Sequence, residues 1–312
     1  MFFKKSNKKE KNIFSKRSIF TLPYDAHDYE FKNVTSINLL NGFKMEINKK
    51  INSFTEITCN LQKYTKQYFI SFFNDKNLLQ LGIEPSGSYQ IKLKNNFKNI
   101  VTTYHSVISE RKEIFTQFDT MMYFTNYNMA LKLIKPVFEA SNLIYIFNMH
   151  SQIDFREESN GLVNKSKAGN SFIKSVNCGL ELVGLEKHLG IGLSGRIEGE
   201  NTVTCVNLQR FNLLKISFYR KLFEFNKGLF TSGSCIDAGI ETQTNIKNKT
   251  NSILGGIRYK SLSTEMKMCL NNLWNMGASW EEKISDKVKV CASAEYNFVD
   301  FDYGMSIIYS DF

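Results

Sequence analysis

The side chains able to do chemistry are scattered through this 312-residue chain. Its four histidines, His27, His105, His150 and His188, stand far apart and show none of the short spacings that gather ligands around a metal. The six cysteines, Cys59, Cys178, Cys205, Cys235, Cys269 and Cys291, form no CxxC pair and read as isolated reduced thiols facing lipid or core. The stretch "GIGLSGRIEG" places Gly190, Gly192 and Gly195 in a GxGxxG spacing. A dinucleotide site needs that loop between a strand and a helix, and here it lies in an alternating pattern with no helix after it. Those glycines read instead as positions of close strand packing or curvature. There is no GxSxG elbow and no phosphate-binding loop. The expectation is no catalytic residue, no metal and no cofactor.

What remains is charge, set singly inside apolar segments. The acids are Glu46, Asp119, Glu181, Glu198, Asp237, Glu241, Glu265, Glu281 and Glu295. The bases include Lys44, Lys92, Lys94, Lys132, Arg196, Lys215, Arg258, Lys267 and Lys289. Charges of both signs on one shared face either wet that face or make weak, reversible contacts with a charged partner. Either role requires the elements carrying them to point every one to the same side.

Strands with two-residue periodicity do that. "GFKMEINKK" sets Phe43, Met45 and Ile47 against Lys44, Glu46 and Asn48. "GSYQIKLKNNF" sets Tyr89, Ile91 and Leu93 against Gln90, Lys92 and Lys94. The same alternation runs through "NYNMALKLI", "SVNCGLELVG", "LLKISFYRK" and "KVKVCASAEYNF". Segments of ~10 residues with one apolar face, separated by short polar turns, are the signature of a membrane β-barrel. A soluble all-β sandwich also alternates. So many strands would then need several sandwiches with linkers between them, and no linker is evident. A closed barrel needs no linker and leaves no unpaired edge.

The totals agree with a single all-β unit. Hydrophobic residues make up 42% and charged residues 22%, and only three prolines, Pro23, Pro85 and Pro136, interrupt possible ladders. No run approaches the ~18 apolar residues of a membrane helix. The N-terminus has no apolar h-region, so no secretory signal is expected. The net charge of +10 comes partly from "KKSNKKEKNIFSKR", residues 4–17; Lys is otherwise spread over turns and faces, and no nucleic-acid partner is expected. Three regions follow: a disordered basic arm over 1–22, a short helix and lead-in over 23–40, and strands over 41–312. In the second, Asp25 can cap the helix, and Phe31 with Val34 forms its best apolar pair.

The last segment, "FDYGMSIIYSDF", alternates Tyr303, Met305, Ile307 and Tyr309 with Gly304, Ser306 and Ser310 almost to the carboxylate. A single-chain barrel closes by pairing its first and last strands, so this strand must be complete. Asp302, Gly304, Ile307 and Tyr309 fit the spaced pattern of the β-signal by which mitochondrial outer-membrane barrels are recognised for insertion. "NGFKMEINKKINSF" resembles the first strand of the channel subunit family of the translocase of the outer mitochondrial membrane (the TOM complex), with Gly42, Asn48 and Lys49 at the matching places; Lys50 departs from that family's usual Gly. "FFNDKNLLQLGIEPSGSYQIKL", with its turn Asn74, Asp75, Asn77, Leu78, resembles the family's next hairpins. "YNMALKLIKP", "SFYRKLFEF", "DAGIETQ" and "GGIRYK" resemble later segments in the same order, over most of residues 25–312.

The resemblance implies a transmembrane β-barrel of about 19 strands with a short N-terminal helix inside the pore, and counted with it as guide, about 19 segments lie between residues 42 and 309. It implies a multi-pass protein of the outer membrane of a mitochondrion, or of a reduced mitochondrion. It implies a passive channel, not an enzyme, through which unfolded, presequence-bearing precursor proteins pass. Its implied partners are the TOM-complex receptors and small helical subunits, membrane lipids, and further copies of itself. Targeting segments are Arg-rich amphipathic helices poor in acids, so the nine lumen acids become precursor-contact candidates, alongside inward aromatics such as Tyr219. Solvation of a wet lumen remains the other account of those charges. Aromatic girdles are expected at both membrane interfaces, with Trp274, Trp280, Tyr309 and Phe312 as candidates beside their reading as ordinary strand aromatics. The voltage-dependent anion channel, which passes metabolites, is the alternative on the same fold, and a soluble all-β binding protein the alternative from another class. The basic arm is left to cross the pore, dock a partner or do neither.

Overall fold

The computed structural model describes residues 27–63, 65–111, 113–124, 126–136, 143–154, 173–185, 188–225 and 233–311. The basic arm of residues 1–22, Pro23, the proposed cap Asp25, all but Asp154 of the long polar stretch at 154–171, expected as a loop between strands, and Phe312 lie outside them.

Among the described residues one helix, α1 (Tyr29–Thr35), precedes nineteen strands. The first nine are β1 (Gly42–Asn52), β2 (Thr55–Gln62), β3 (Lys66–Phe73), β4 (Asn77–Ile83), β5 (Tyr89–Phe97), β6 (Ile100–Ile108), β7 (Ile114–Tyr123), β8 (Tyr127–Lys135) and β9 (Ile144–Asp154). Then come β10 (Ile173–Leu185), β11 (His188–Gly199), β12 (Thr202–Gln209), β13 (Leu213–Phe225) and β14 (Ser234–Asn245). The last five are β15 (Thr250–Lys260), β16 (Thr264–Asn271), β17 (Met276–Lys283), β18 (Val288–Asn297) and β19 (Asp300–Asp311).

Each strand pairs antiparallel with the next, and β1 also pairs with β19, so the sheet closes on itself. An odd number of up-and-down strands sends the first and last in the same direction. The closing pair must therefore be parallel, and it is, from Gly42 opposite Gly304 to Lys49 opposite Asp311. The glycine-rich stretch at Gly190, Gly192 and Gly195 lies within β11, as its alternation predicts.

The pleat sorts side chains as the sequence does. Phe43, Ile70, Leu93, Phe118, Ile216, Ile257 and Met305 stand exposed on the outer face. Asn48, Asn128, Asn177, Arg196, Ser217, Asp237 and Ser293 are buried on the inner one. A soluble sandwich would hide its apolar face and wet its polar one. Here the order is reversed, which sets aside the soluble all-β alternative and leaves a barrel whose solvent is lipid. Among the described residues no helix is long and apolar enough to cross a membrane; the strands carry the apolar face.

Candidate functional site

Phe31 and Val34, three apart on α1, form an apolar stripe that must be buried, and a hollow barrel has no core to receive it. The inner wall supplies a bare track instead. A Cβ added at Gly239 would stand 2.8 Å from the Phe31 ring, and one at Gly256 the same distance from Thr35 Cγ2. One at Gly277 would meet Ile37 Cδ1 at 2.9 Å, and one at Gly304 would fall on the Leu40 carbonyl oxygen. Gly239 and Gly256 are register partners on β14 and β15, while Cys269 of β16 links Gly256 to Gly277 of β17. The segment thus runs across the wall along positions that have no side chain. Leu40 N–H donates to Ser293 Oγ at 2.8 Å just before Gly42, at φ +75°, turns the chain into β1. That left-handed backbone is a reason for glycine at Gly42.

Charge locks the other end. Arg196 on β11 is 1% exposed. Its Nη1 donates to the His27 carbonyl at 2.7 Å and to Glu30 Oε2 at 2.6 Å, and Nη2 closes the fork on Glu30 Oε1. Such bidentate, charge-assisted pairing makes burial of the guanidinium tolerable. Cys205 Sγ–H also donates to the His27 carbonyl, at 3.0 Å. Asp28 makes no side-chain cap; it pairs with Lys32 at 2.8 Å and with Lys215 of β13 at 3.0 Å. The His27 ring packs edgewise on His150 of β9, centroids 4.9 Å apart. Burial, and then the nearby Arg196, push the His27 imidazole down from 6.5 to about 4. These contacts reach β9 and β11–β19, so all of them fall on one half of the barrel.

All nine acids expected on the inner face lie on it by register, and the same pairing puts Tyr219 there. Six of them are in ion pairs. Glu241 meets Lys215 at 2.8 Å, Asp237 is forked by Arg258, and Glu265 lies 3.3 Å from Lys267. Glu281 pairs with Lys289 at 2.5 Å, Glu46 with Lys44 at 3.5 Å, and Glu198 with Arg196 at 3.8 Å. Asp119, Glu181 and Glu295 are in no ion pair among the described residues; Asp119 accepts a hydrogen bond from Gln117 at 2.7 Å. Arg196 as the anchor of the helix had no sequence signal, because its partner Glu30 lies 166 positions away.

The wall of β2–β8, on which none of the contacts just described falls, has another chemistry. Its inward positions are mostly amides and apolar groups: Asn60, Gln67, Phe69, Gln80, Gln117 and Ile134 among them, with Gln90 2.6 Å from His105. Lys92 and Lys94 face inward there without an ion pair among the described residues.

The residues singled out at the two chain ends meet at the seam. Gly42 stands opposite Gly304, Asn48 opposite Ser310 and Lys49 opposite Asp311. Asn48 Nδ2 donates to Glu46 Oε1 at 3.0 Å and reaches Ser310 Oγ at 3.5 Å across the joint. Ile307 and Tyr309 face lipid beside Met45 and Ile47, and Asp302 pairs with Glu295 on β18. In the turn resembling the family's hairpin, Asn74 Oδ1 accepts from the backbone N–H groups of Lys76 and Asn77.

The eukaryotic porin family model matches residues 181–305. That stretch runs from the end of β10 into β19 and holds Arg196, Lys215 and the whole glycine track. It is less than half of the chain. No curated protein matches. The porin match and the closed barrel support the eukaryotic porin superfamily and a channel in an outer membrane.

Proposed function

We propose that this porin-like barrel is the protein-conducting channel of the outer membrane of a mitochondrion or mitochondrion-derived organelle, passing unfolded, presequence-bearing precursors. The reading includes TOM-type receptors, small helical subunits and further copies of the chain as partners. The observation that carries it is the charge pairing of the lumen. On the helix-bearing wall Arg196, Lys215, Arg258, Lys267 and Lys289 are each matched by a carboxylate, so most of the positive charge of that wall is compensated and, apart from Lys260 at the end of β15, little is left to concentrate small anions. Asp119, Glu181 and Glu295 remain to attract a cationic segment, and the amide and apolar wall opposite offers many weak contacts. Transit needs contacts that are weak and repeated, since a tight site would halt it.

A metabolite channel on the same fold is favoured by one feature, the unpaired inward Lys92 and Lys94. Single-channel current in a planar bilayer separates the two. The import reading predicts a cation-preferring conductance that flickers shut when a basic presequence peptide is added. An anion-preferring current indifferent to the peptide would transfer the assignment to the metabolite channel.

A further inference from the structure

Closing a sheet into a barrel removes its edges, yet the rim of this barrel has a step. β1 begins at Gly42, opposite Gly304, whereas β19 already runs from Asp300. Asp300–Tyr303 therefore has register partners on β18 and none on its β1 side. The place is vacant because the chain reaches β1 from inside the pore. Leu40 N–H is held by Ser293 Oγ, and Gly42, at φ +75°, then swings the backbone into the wall. β2 does not fill the place either, since its last residue, Gln62, lies opposite Lys44. On the other flank β17 supports the hairpin as far as Met276, opposite Tyr296.

Asn297 and Asp300 close a two-residue turn. In the antiparallel ladder that follows, successive residues aim their N–H and C=O groups alternately toward β18 and away from it, and Phe301 and Tyr303 are the ones aimed away. Such an edge is a template for another strand. Its two faces are unlike. Phe301 and Tyr303 are 61% and 70% exposed on the outer side. Asp300 and Asp302, both exposed, face the mouth of the lumen, where Asp302 stands opposite Glu295. None of these three carboxylates is in an ion pair among the described residues. Like charges set directly opposite destabilise a sheet, and a cation between them relieves that. The same carboxylates argue against a second copy of the chain. Two such edges paired about a twofold axis, with their faces matched, set aspartate on aspartate: Asp302 on Asp302, or Asp300 on Asp302.

We propose that Asp300–Tyr303 is a strand-addition site for an extended segment of another protein in which basic and apolar residues alternate. Main-chain hydrogen bonds hold the segment along β19, its Lys or Arg side chains meet Asp300, Asp302 and Glu295, and its apolar side chains lie beside Phe301 and Tyr303. At ~3.3 Å per residue the edge is about 13 Å long, which suits a weak, reversible contact. The inference does not depend on what the pore conducts and stands equally for a metabolite channel.

The probe is a fluorescent peptide of Val-Lys repeats, added to the full chain in phosphatidylcholine nanodiscs, which leave both rims accessible. One control carries the same residues as a Val block and a Lys block; the other is the alternating peptide methylated at every backbone nitrogen. Anisotropy reads binding, and hydrogen exchange reads the Phe301 and Tyr303 amides. The expected result is that only the unmethylated alternating peptide binds, and that it slows the exchange of those two amides, which is fast without it. Phe301→Pro removes one edge N–H at a place where proline is tolerated; it should weaken binding about fivefold, the worth of one hydrogen bond. Asp300→Lys should weaken it further and reduce its dependence on salt. Equal binding of the block or the methylated peptide would reduce the effect to charge attraction and overturn strand addition. Amides already slow in the free chain would overturn it too, in favour of a contact between copies if sedimentation shows a dimer. Ion conductance in a planar bilayer checks that each variant has folded; should F301P not fold, the exchange of the wild type decides alone.

Discussion

Arg196 sits on a mid-barrel strand with almost no exposure, and the Glu30 fork and the His27 carbonyl, with Glu198 farther off, make that position bearable. Breaking one partner of a buried pair costs about 3–5 kcal/mol, because the survivor is left charged and dry. Glu30→Gln is therefore expected to loosen α1 by a hundredfold or more in opening equilibrium, read as faster hydrogen exchange over Tyr29–Thr35. Exchanging both residues for methionine should recover much of that loss. Unchanged exchange in Glu30→Gln would show that the glycine track alone holds the helix. His27 adds a pH dependence whose sign follows from its depressed pKa. Docked, it stays neutral down to about 4; released, it takes a proton below 6.5. The released segment binds more protons, so docking is strongest above 6.5 and weakens as pH falls from there toward 4. Asp28 does not reproduce this. Burial raises its pKa, but Lys32 and Lys215 outweigh burial and hold it below the usual carboxylate value. His27→Leu should flatten the exchange rate of α1 between 6.5 and 4; a slope that persists would point to another titrating group.

The elements are decided by where a side chain is missing as much as by where one is present. Gly304 is the sharpest case, since any Cβ there collides with the Leu40 backbone, which cannot swing aside as a side-chain tip can. Gly304→Ala is expected to displace the lead-in or open the seam, lowering the membrane-inserted, heat-resistant fraction while synthesis continues. Gly304→Asp with Ile307→Ala, which also removes a lipid-facing group, should block insertion. Normal insertion of the double variant would sink the β-signal reading of these residues. Much of this architecture can be read from residues alone. The alternation of Phe43, Met45 and Ile47 with Lys44, Glu46 and Asn48 places each on the correct face, because a half-lipid, half-water strand admits no other register. Gly42, Asn48 and Lys49, singled out by the family resemblance, lie at the seam opposite Gly304, Ser310 and Asp311, where the residues between them also face β19. Other features were illegible. Gly239, Gly256 and Gly277 look like interchangeable strand glycines until the helix is seen lying on them. The bulge between Lys221 and Phe223 leaves no trace in the alternation before it. Glu241 and Glu281 read as free carboxylates, because their neutralising lysines come from neighbouring strands whose register a sequence does not print.

At the scale of the molecule the barrel has two unlike halves, a charged, helix-bearing wall over β11–β19 and an amide-rich wall over β2–β8. The lumen carboxylates are also of two kinds, but these do not follow that division, since Asp119, Glu181 and Glu295 lie on β7, β10 and β18; the distinction makes the transport reading quantitative. A carboxylate already paired to a lysine presents a dipole to a passing cation, whereas Asp119, Glu181 and Glu295 present nearly whole charges. A whole charge ~7 Å from a peptide cation in wet surroundings contributes about 0.6 kcal/mol, close to threefold in affinity. Losing all three should then raise the half-blocking concentration of a basic presequence peptide by roughly 10- to 30-fold, with the effect shrinking as salt shortens the ~10 Å screening length. The matched set Glu46→Gln, Glu241→Gln and Glu281→Gln removes as many charges but takes away the carboxylate partners of Lys44 and Lys289 and leaves Lys215 with Asp28 alone. It should push ion selectivity toward anions more strongly than the first set does. Planar-bilayer recordings of both triple variants, taken at two salt concentrations, distinguish the cases. If both sets weaken the peptide block equally, only net lumen charge matters and the pairing is irrelevant to transport. If neither changes it, the peptide is held by the amide wall, and substitutions at Gln67, Gln80 and Gln117 become the next place to look.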